Sequence, residues 1–120
     1  LRMHAGMIMP MPTQQAVIAA LGDYSHVKSE KDIYRKRRDV LLAAVKKYGF
    51  EVSDSEAGLY LWATLGEDCW ATVEKMAQLG IVVVPGSFYG QYATRHVRFS
   101  LTATDSDISR AAARLENALG

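Results

Sequence analysis

The segment HVRFSLTATD, residues 96–105, constrains the fold more than any other stretch. Val97, Phe99 and Leu101 alternate with His96, Arg98 and Ser100, the period-two pattern of a strand with one face in a core. The opposite face carries a guanidinium in mid-strand. That group stays charged and has five donors, so it needs a partner or water. The sheet to which this strand belongs therefore has one apolar face and one face of another kind. LYLWATL, residues 59–65, repeats the pattern, with Leu59, Leu61, Ala63 and Leu65 pointing one way and Tyr60, Trp62 and Thr64 the other. The second face thus gathers Tyr60, Trp62, Arg98 and Ser100, too aromatic for plain solvent-facing surface and too polar for a core.

Helical signals flank these strands. Pro10 and Pro12 in MIMPMPTQQ bar a helix through that point, so Thr13 is expected to open a short one running from Gln14 to Leu21 and ended by Gly22. The longest helix is expected from His26 to Tyr48, with Ile33, Arg37, Leu41, Ala44, Val45 and Tyr48 on one stripe and Lys46 and Lys47 suiting its C-terminal dipole. FEVSD reads as a short strand. Asp68 or Glu67 caps a helix with Trp70, Val73, Met76 and Ala77 inward, and IVVV reads as a strand covered on both faces. Thr104 with Asp107 forms a capping box for a last helix, with Ile108, Ala111, Ala112, Leu115 and Leu119 on one face. The order α-α-β-β-α-β-β-α predicts an α+β fold, a two-layer sandwich with a mixed sheet of about four strands covered by helices on its apolar face.

Composition removes several classes of function. A net charge of +1 offers no general attraction to nucleic acid or an anionic membrane. The basic run Arg35 to Arg38 spreads around a helix among Glu30, Asp32 and Asp39, as a solvated face does. No stretch reaches the ~20 apolar residues of a membrane span. The single cysteine, Cys69, excludes an internal disulfide and a cysteine-based zinc cluster, and fits a reducing compartment such as the cytoplasm. His4, His26 and His96 lack metal-ligand spacing, so no metal site is expected. Met3, Met7, Met9 and Met11 suit an adaptable contact surface. Leu1 is not an initiator methionine, and LRMHAGM opens as if in mid-element. A piece of a longer chain is the expectation.

Arg98 is the principal candidate site residue. It is one half of an internal ion pair, an edge-strand arginine laid over the sheet with its tip in water, or a fixed fork awaiting a carboxylate from outside the chain, since a guanidinium matches a carboxylate bidentately. A strand bordered by aromatics is a rigid mount for such a fork. The loop PGSFYGQYAT after IVVV has two readings. Pro85-Gly86 is either an ordinary type II turn or a place where backbone closely approaches something else.

The blocks HAGMIMPMPTQQAVIAAL, DIYRKRRDVLLAAVKKYGF, SEAGLYLWATL, GIVVVPGSFYG and HVRFSLTATDSDISRAAARL follow one another over essentially the whole chain. In that order they resemble the last third of class I/II aminotransferases, the pyridoxal-phosphate enzymes of fold type I. Their wording is nearest to members that serve the diaminopimelate–lysine pathway. The resemblance implies that residues 26–120 are the family's small C-terminal domain and residues 1–25 the end of the segment joining it to a large domain. It implies that Arg98 binds the substrate α-carboxylate, with Pro85, Gly86 and Phe88 as neighbours at the mouth of the active site. It further implies pyridoxal 5'-phosphate held by the large domain, amino-acid and keto-acid substrates, and a homodimer. The Schiff-base lysine would lie elsewhere, since Lys28, Lys31, Lys36, Lys46, Lys47 and Lys75 all fall on expected helices. This piece alone would then be inactive. The competing reading is a stand-alone α+β module that binds an amino acid for regulation.

Overall fold

The computed structural model describes His4 and residues 6–119. The chain forms two compact units, Leu1–Asp32 and Ile33–Gly120, divided within the second helix.

The first unit holds α1 (Met11–Gly22) and the opening of α2 (Ser25–Tyr48). Pro10 is the N-cap of α1 and Pro12 stands in its first turn. First-turn amides have no helical acceptor, so a missing N–H costs nothing there. The two prolines therefore start the helix, correcting the expectation that it opens only at Thr13. No residue of α1 is buried, and Met7, Ile8, Met9, Met11, Ile18 and Leu21 are all exposed. Leu1 and Met3 lie outside the described residues. In the turn before α2, Asp23 accepts hydrogen bonds from the Ser25 amide at 2.9 Å and hydroxyl at 2.6 Å.

The second unit continues α2 from Ile33, then runs β1 (Glu51–Val52), β2 (Tyr60–Thr64), α3 (Cys69–Gln78), β3 (Val84–Pro85), β4 (Val97–Ser100) and α4 (Asp105–Asn117). This is the expected order and an α+β fold. The strands lie β1-β2-β4-β3, and every neighbouring pair is antiparallel, so the sheet is not mixed. Helix α3 carries the chain from β2 to β3, two strands that run the same way. β4 inserts between them against both, which removes any parallel pairing.

The alternation in β2 and β4 is met, except that Leu59, expected inward, lies one residue before β2 and is 40% exposed. Leu61, Ala63, Val97, Phe99 and Leu101 are at most 2% exposed and face Leu41, Ala44 and Val45 of α2, Met76 of α3, and Ile108, Ala112 and Leu115 of α4. Each large side chain so buried contributes about 1.5–3 kcal/mol. Phe50 closes the core against Phe99 edge-to-face at 5.3 Å. At α4, the Thr104 hydroxyl accepts from the Asp107 amide at 3.2 Å, as the capping box requires.

Four further inward assignments change, those of Trp70, Ala77, Val82 and Leu119. Trp70 is 52% exposed and Ala77 is exposed, whereas Cys69, Thr72 and Met76 are the buried face of α3. Thr72 can face inward because its hydroxyl donates to Glu67 at 3.0 Å. IVVV is not covered on both faces, since Ile81 and Val83 are buried but Val82 is 93% exposed on the sheet's margin. Leu119 lies past the end of α4 and is half exposed.

Candidate functional site

The uncovered face of β2 and β4 carries the candidate site. Register places Trp62 directly across from Arg98, and Tyr60 across from Ser100, one step along the same face. Val84 of β3 flanks Arg98 on its other side. The Arg98 side chain is half-buried, and its Nε is enclosed with no hydrogen-bond partner. Among the described residues no Asp or Glu forms a salt bridge with it. Its guanidinium carbon instead lies 4.1 Å from the centre of the Tyr60 ring and 5.5 Å from that of Tyr89. The internal ion pair is therefore excluded for the described residues, leaving the arginine laid over the sheet and the fork awaiting an outside carboxylate.

The aromatic array continues beyond the arginine. Tyr89 meets Trp62 edge-to-face at 5.5 Å, and Trp62 stacks on His96 at 5.3 Å with the rings 6° apart. The His96 Nδ1 is buried without a partner. Alternation placed Tyr60 and Trp62 on this face. Tyr89 was not legible as part of it, because it arrives from a 3-10 segment, Gly86–Tyr89, that has no period of its own.

The PGSFYG loop is built by close approach of backbone. Pro85 pairs with Val97, and the Gly86 amide donates to the His96 carbonyl at 2.8 Å. A Cβ on Gly86 would lie 2.6 Å from that carbonyl oxygen and closer still to the one of Ala93. Gly86 begins a 3-10 turn, so the type II turn gives way to the close-approach reading. What it approaches is the chain's own 93–96 segment. Phe88 is 69% exposed and packs edge-on to Trp70 at 5.8 Å, so it borders α3 while Tyr89 borders Arg98.

The remaining candidates resolve into structure. Arg37 donates to Asp105 at 2.5 Å and to the Leu101 carbonyl at 3.2 Å, tying α2 to the end of β4, and Arg38 donates to the Gly58 carbonyl. Neither is the free solvated cation that the run suggested. Cys69 is 1% exposed, more deeply buried than an accessible thiol would be. Among the described residues no three His, Cys, Asp or Glu gather to hold a metal. No helix of the described residues is long and apolar enough to cross a membrane. A cavity of about 360 Å³ lies along α4, lined by Gly80, Val82, Ser100, Asp107 and Arg114, and does not include Arg98.

The fold is thus an α+β domain, a helix-backed antiparallel sheet whose other face carries Arg98 with no ion-pair partner among the described residues. The family model for aminotransferase class I and II matches residues 1–115, and the chain belongs to that family. It is 53% identical over 114 residues to 4-dedimethylamino-4-oxo-anhydrotetracycline transaminase OxyQ of Streptomyces rimosus, covering 95% of this chain and 32% of that one. It is 34% identical over 113 residues to LL-diaminopimelate aminotransferase of Dehalococcoides mccartyi, covering 91% of this chain and 29% of that one. Among solved structures, an aminotransferase from Staphylococcus aureus matches with a TM-score of 0.82 at 28% identity, over 97% of this chain and 32% of that one. The chain thus spans about a third of the length of the curated relatives it matches.

Enzymes of this family use pyridoxal phosphate. The residues described here do not make a site for it. Five of the six lysines lie on α2 and Lys75 lies on α3, where it pairs with Glu67 at 2.5 Å. Among the described residues no lysine lies on β2, β4 or the 86–93 segment beside Arg98.

Proposed function

We propose that this chain is the C-terminal substrate-binding domain of a pyridoxal-phosphate-dependent aminotransferase, and that Arg98 anchors the α-carboxylate shared by its amino donor and keto acceptor. The observation that carries the reading is the guanidinium held on the open sheet face with no carboxylate partner among the described residues. A fork fixed in this way turns a flexible acid into one presented at a constant angle, which serves reactions that need a particular bond aligned. The donor and acceptor bind in turn, and one arginine serves both because both carry the same group. Residues 26–120 form the small domain and residues 1–25 the end of its connection to a large domain of the same protein. That large domain holds the cofactor, and the whole enzyme is a cytoplasmic homodimer.

For the acceptor we favour N-succinyl-2-amino-6-oxopimelate, with glutamate as donor, which makes the enzyme succinyldiaminopimelate transaminase. The diaminopimelate relatives support the pathway. A second acceptor, an oxo-anhydrotetracycline of the kind named for the Streptomyces relative, is favoured by the aromatic array of Tyr60, Tyr89, Trp62 and His96, which suits a flat ring; this ring ketone carries no α-carboxylate, so with it Arg98 serves the donor alone and Arg98→Ala impairs only the donor half-reaction. Assaying the full-length enzyme with both ketones separates the two.

In the full-length enzyme Arg98→Ala is expected to lower kcat/KM by at least ~10²-fold for donor and acceptor alike, the scale of a lost desolvated charge pair. An unchanged value removes Arg98 from the site. The chain by itself, mixed with pyridoxal phosphate, is expected to transfer no amino group. Tight calorimetric binding of free glutamate to the chain alone would favour the regulatory module instead.

A further inference from the structure

We infer that Tyr60 and Tyr89 are positioning residues that aim Arg98 at the incoming carboxylate without using up its hydrogen-bond donors. This rests on the proposed role of Arg98. A mid-sheet arginine has to be oriented by something. The common device is a neighbouring carboxylate, but an internal acid would occupy the same N–H edge that a substrate acid needs and would compete with it. Here that device is absent among the described residues, and the Nε has no partner at all. Two ring faces take its place, with the guanidinium carbon 4.1 Å from the Tyr60 centroid and 5.5 Å from that of Tyr89.

The geometry of the cation makes this arrangement fit the task. A guanidinium attracts aromatic quadrupoles through its faces and donates hydrogen bonds in its plane. Contacts to the rings and contacts to a carboxylate are therefore orthogonal, and both can exist at once. The rings also come from different places. Tyr60 is set by strand register, on the diagonal from Arg98 across β2 and β4. Tyr89 is set by the 3-10 turn that Gly86 makes possible, and is braced edge-on by Trp62 at 5.5 Å. Strand and loop thus act on one side chain, which restricts its rotamers before any ligand arrives.

The test is steady-state kinetics of the full-length enzyme with glutamate as donor and N-succinyl-2-amino-6-oxopimelate as acceptor. Tyr60→Leu is expected to raise KM for both by about three- to tenfold, with kcat within about twofold. Tyr60→Phe keeps the ring face and is expected to restore the wild-type KM. Should Tyr60→Leu not fold, Tyr89→Leu in the exposed loop carries the same expectation. A leucine variant with wild-type KM overturns the inference, as does a Phe variant as impaired as the Leu one. Arg98→Ala run in parallel tells the two proposals apart. A strong Arg98 defect beside a silent Tyr60→Leu removes the tyrosines only, whereas a silent Arg98→Ala removes the carboxylate anchor and this inference with it.

Discussion

The two faces of β4 differ in what they ask of the residues on them. On one face Val97, Phe99 and Leu101 are almost completely buried under α2, α3 and α4. On the other, one residue away each time, His96, Arg98 and Ser100 are only partly covered, and Arg98 has an unsatisfied nitrogen. The first face is a place where chemistry is uniform and volume matters. The second is a place where volume is loose and the identity of each polar group matters. A strand four residues long therefore separates stability from recognition by side-chain direction alone.

That separation can be challenged from both sides. The largest effect on folding is expected from the buried face. Phe99→Ala removes a ring packed on Phe50 and should cost about 3–5 kcal/mol, read from urea unfolding of the protein. A cost below about 1 kcal/mol would mean that the two faces do not differ as described.

Gly86→Ala tests the link between the faces. Its methyl would press on the carbonyls of Ala93 and His96, so the loop bearing Tyr89 must shift. The expected cost is about 1–3 kcal/mol, the range for overpacked sites, together with a raised KM in the full-length enzyme. Lost stability with no change in KM would show that the loop's position is immaterial to binding.

The smallest effect belongs to the cap of α4, remote from the open face. Thr104→Ala should cost about 1 kcal/mol and leave KM unchanged. The pH dependence of that cap has a definite sign. The Thr104 hydroxyl's hydrogen bond, with help from Arg110, holds the Asp107 carboxyl below its ordinary value of 3.8. Asp107 thus contributes its stabilisation fully above pH 3.8 and loses it as the pH falls through its lowered folded value. Unfolding midpoints of the Thr104→Ala protein should consequently depend less on acid than those of the wild type.

The same contrast explains what could be read in the amino-acid order. HVRFSL and LYLWAT were legible because polar and apolar residues alternate, and the alternation itself reports the phase. IVVV was misassigned because four β-branched residues in a row carry no phase. Only the fold reveals that Val82 points out while Ile81 and Val83 point in. Trp70 misled for a related reason. Bulk and hydrophobicity argued for the core, but the helix turns Cys69, Thr72 and Met76 inward, and the hydroxyl of Thr72 finds an acceptor close at hand. At the candidate site the arginine and Tyr60 followed from periodicity. Tyr89 did not, because its position depends on the approach of Gly86 to the Ala93 and His96 carbonyls, which no periodic pattern in the sequence records.

The start of β4 is fastened largely through main-chain atoms. The Cys69 amide donates to the Thr94 carbonyl at 2.8 Å, the Thr64 hydroxyl to the Arg95 carbonyl, and the Gly86 amide to the His96 carbonyl. Fastening of that kind is indifferent to which side chains ride on residues 94–96. Mutation can thus repaint the border of the arginine, trading one acceptor preference for another, while the alignment of the strand stays put.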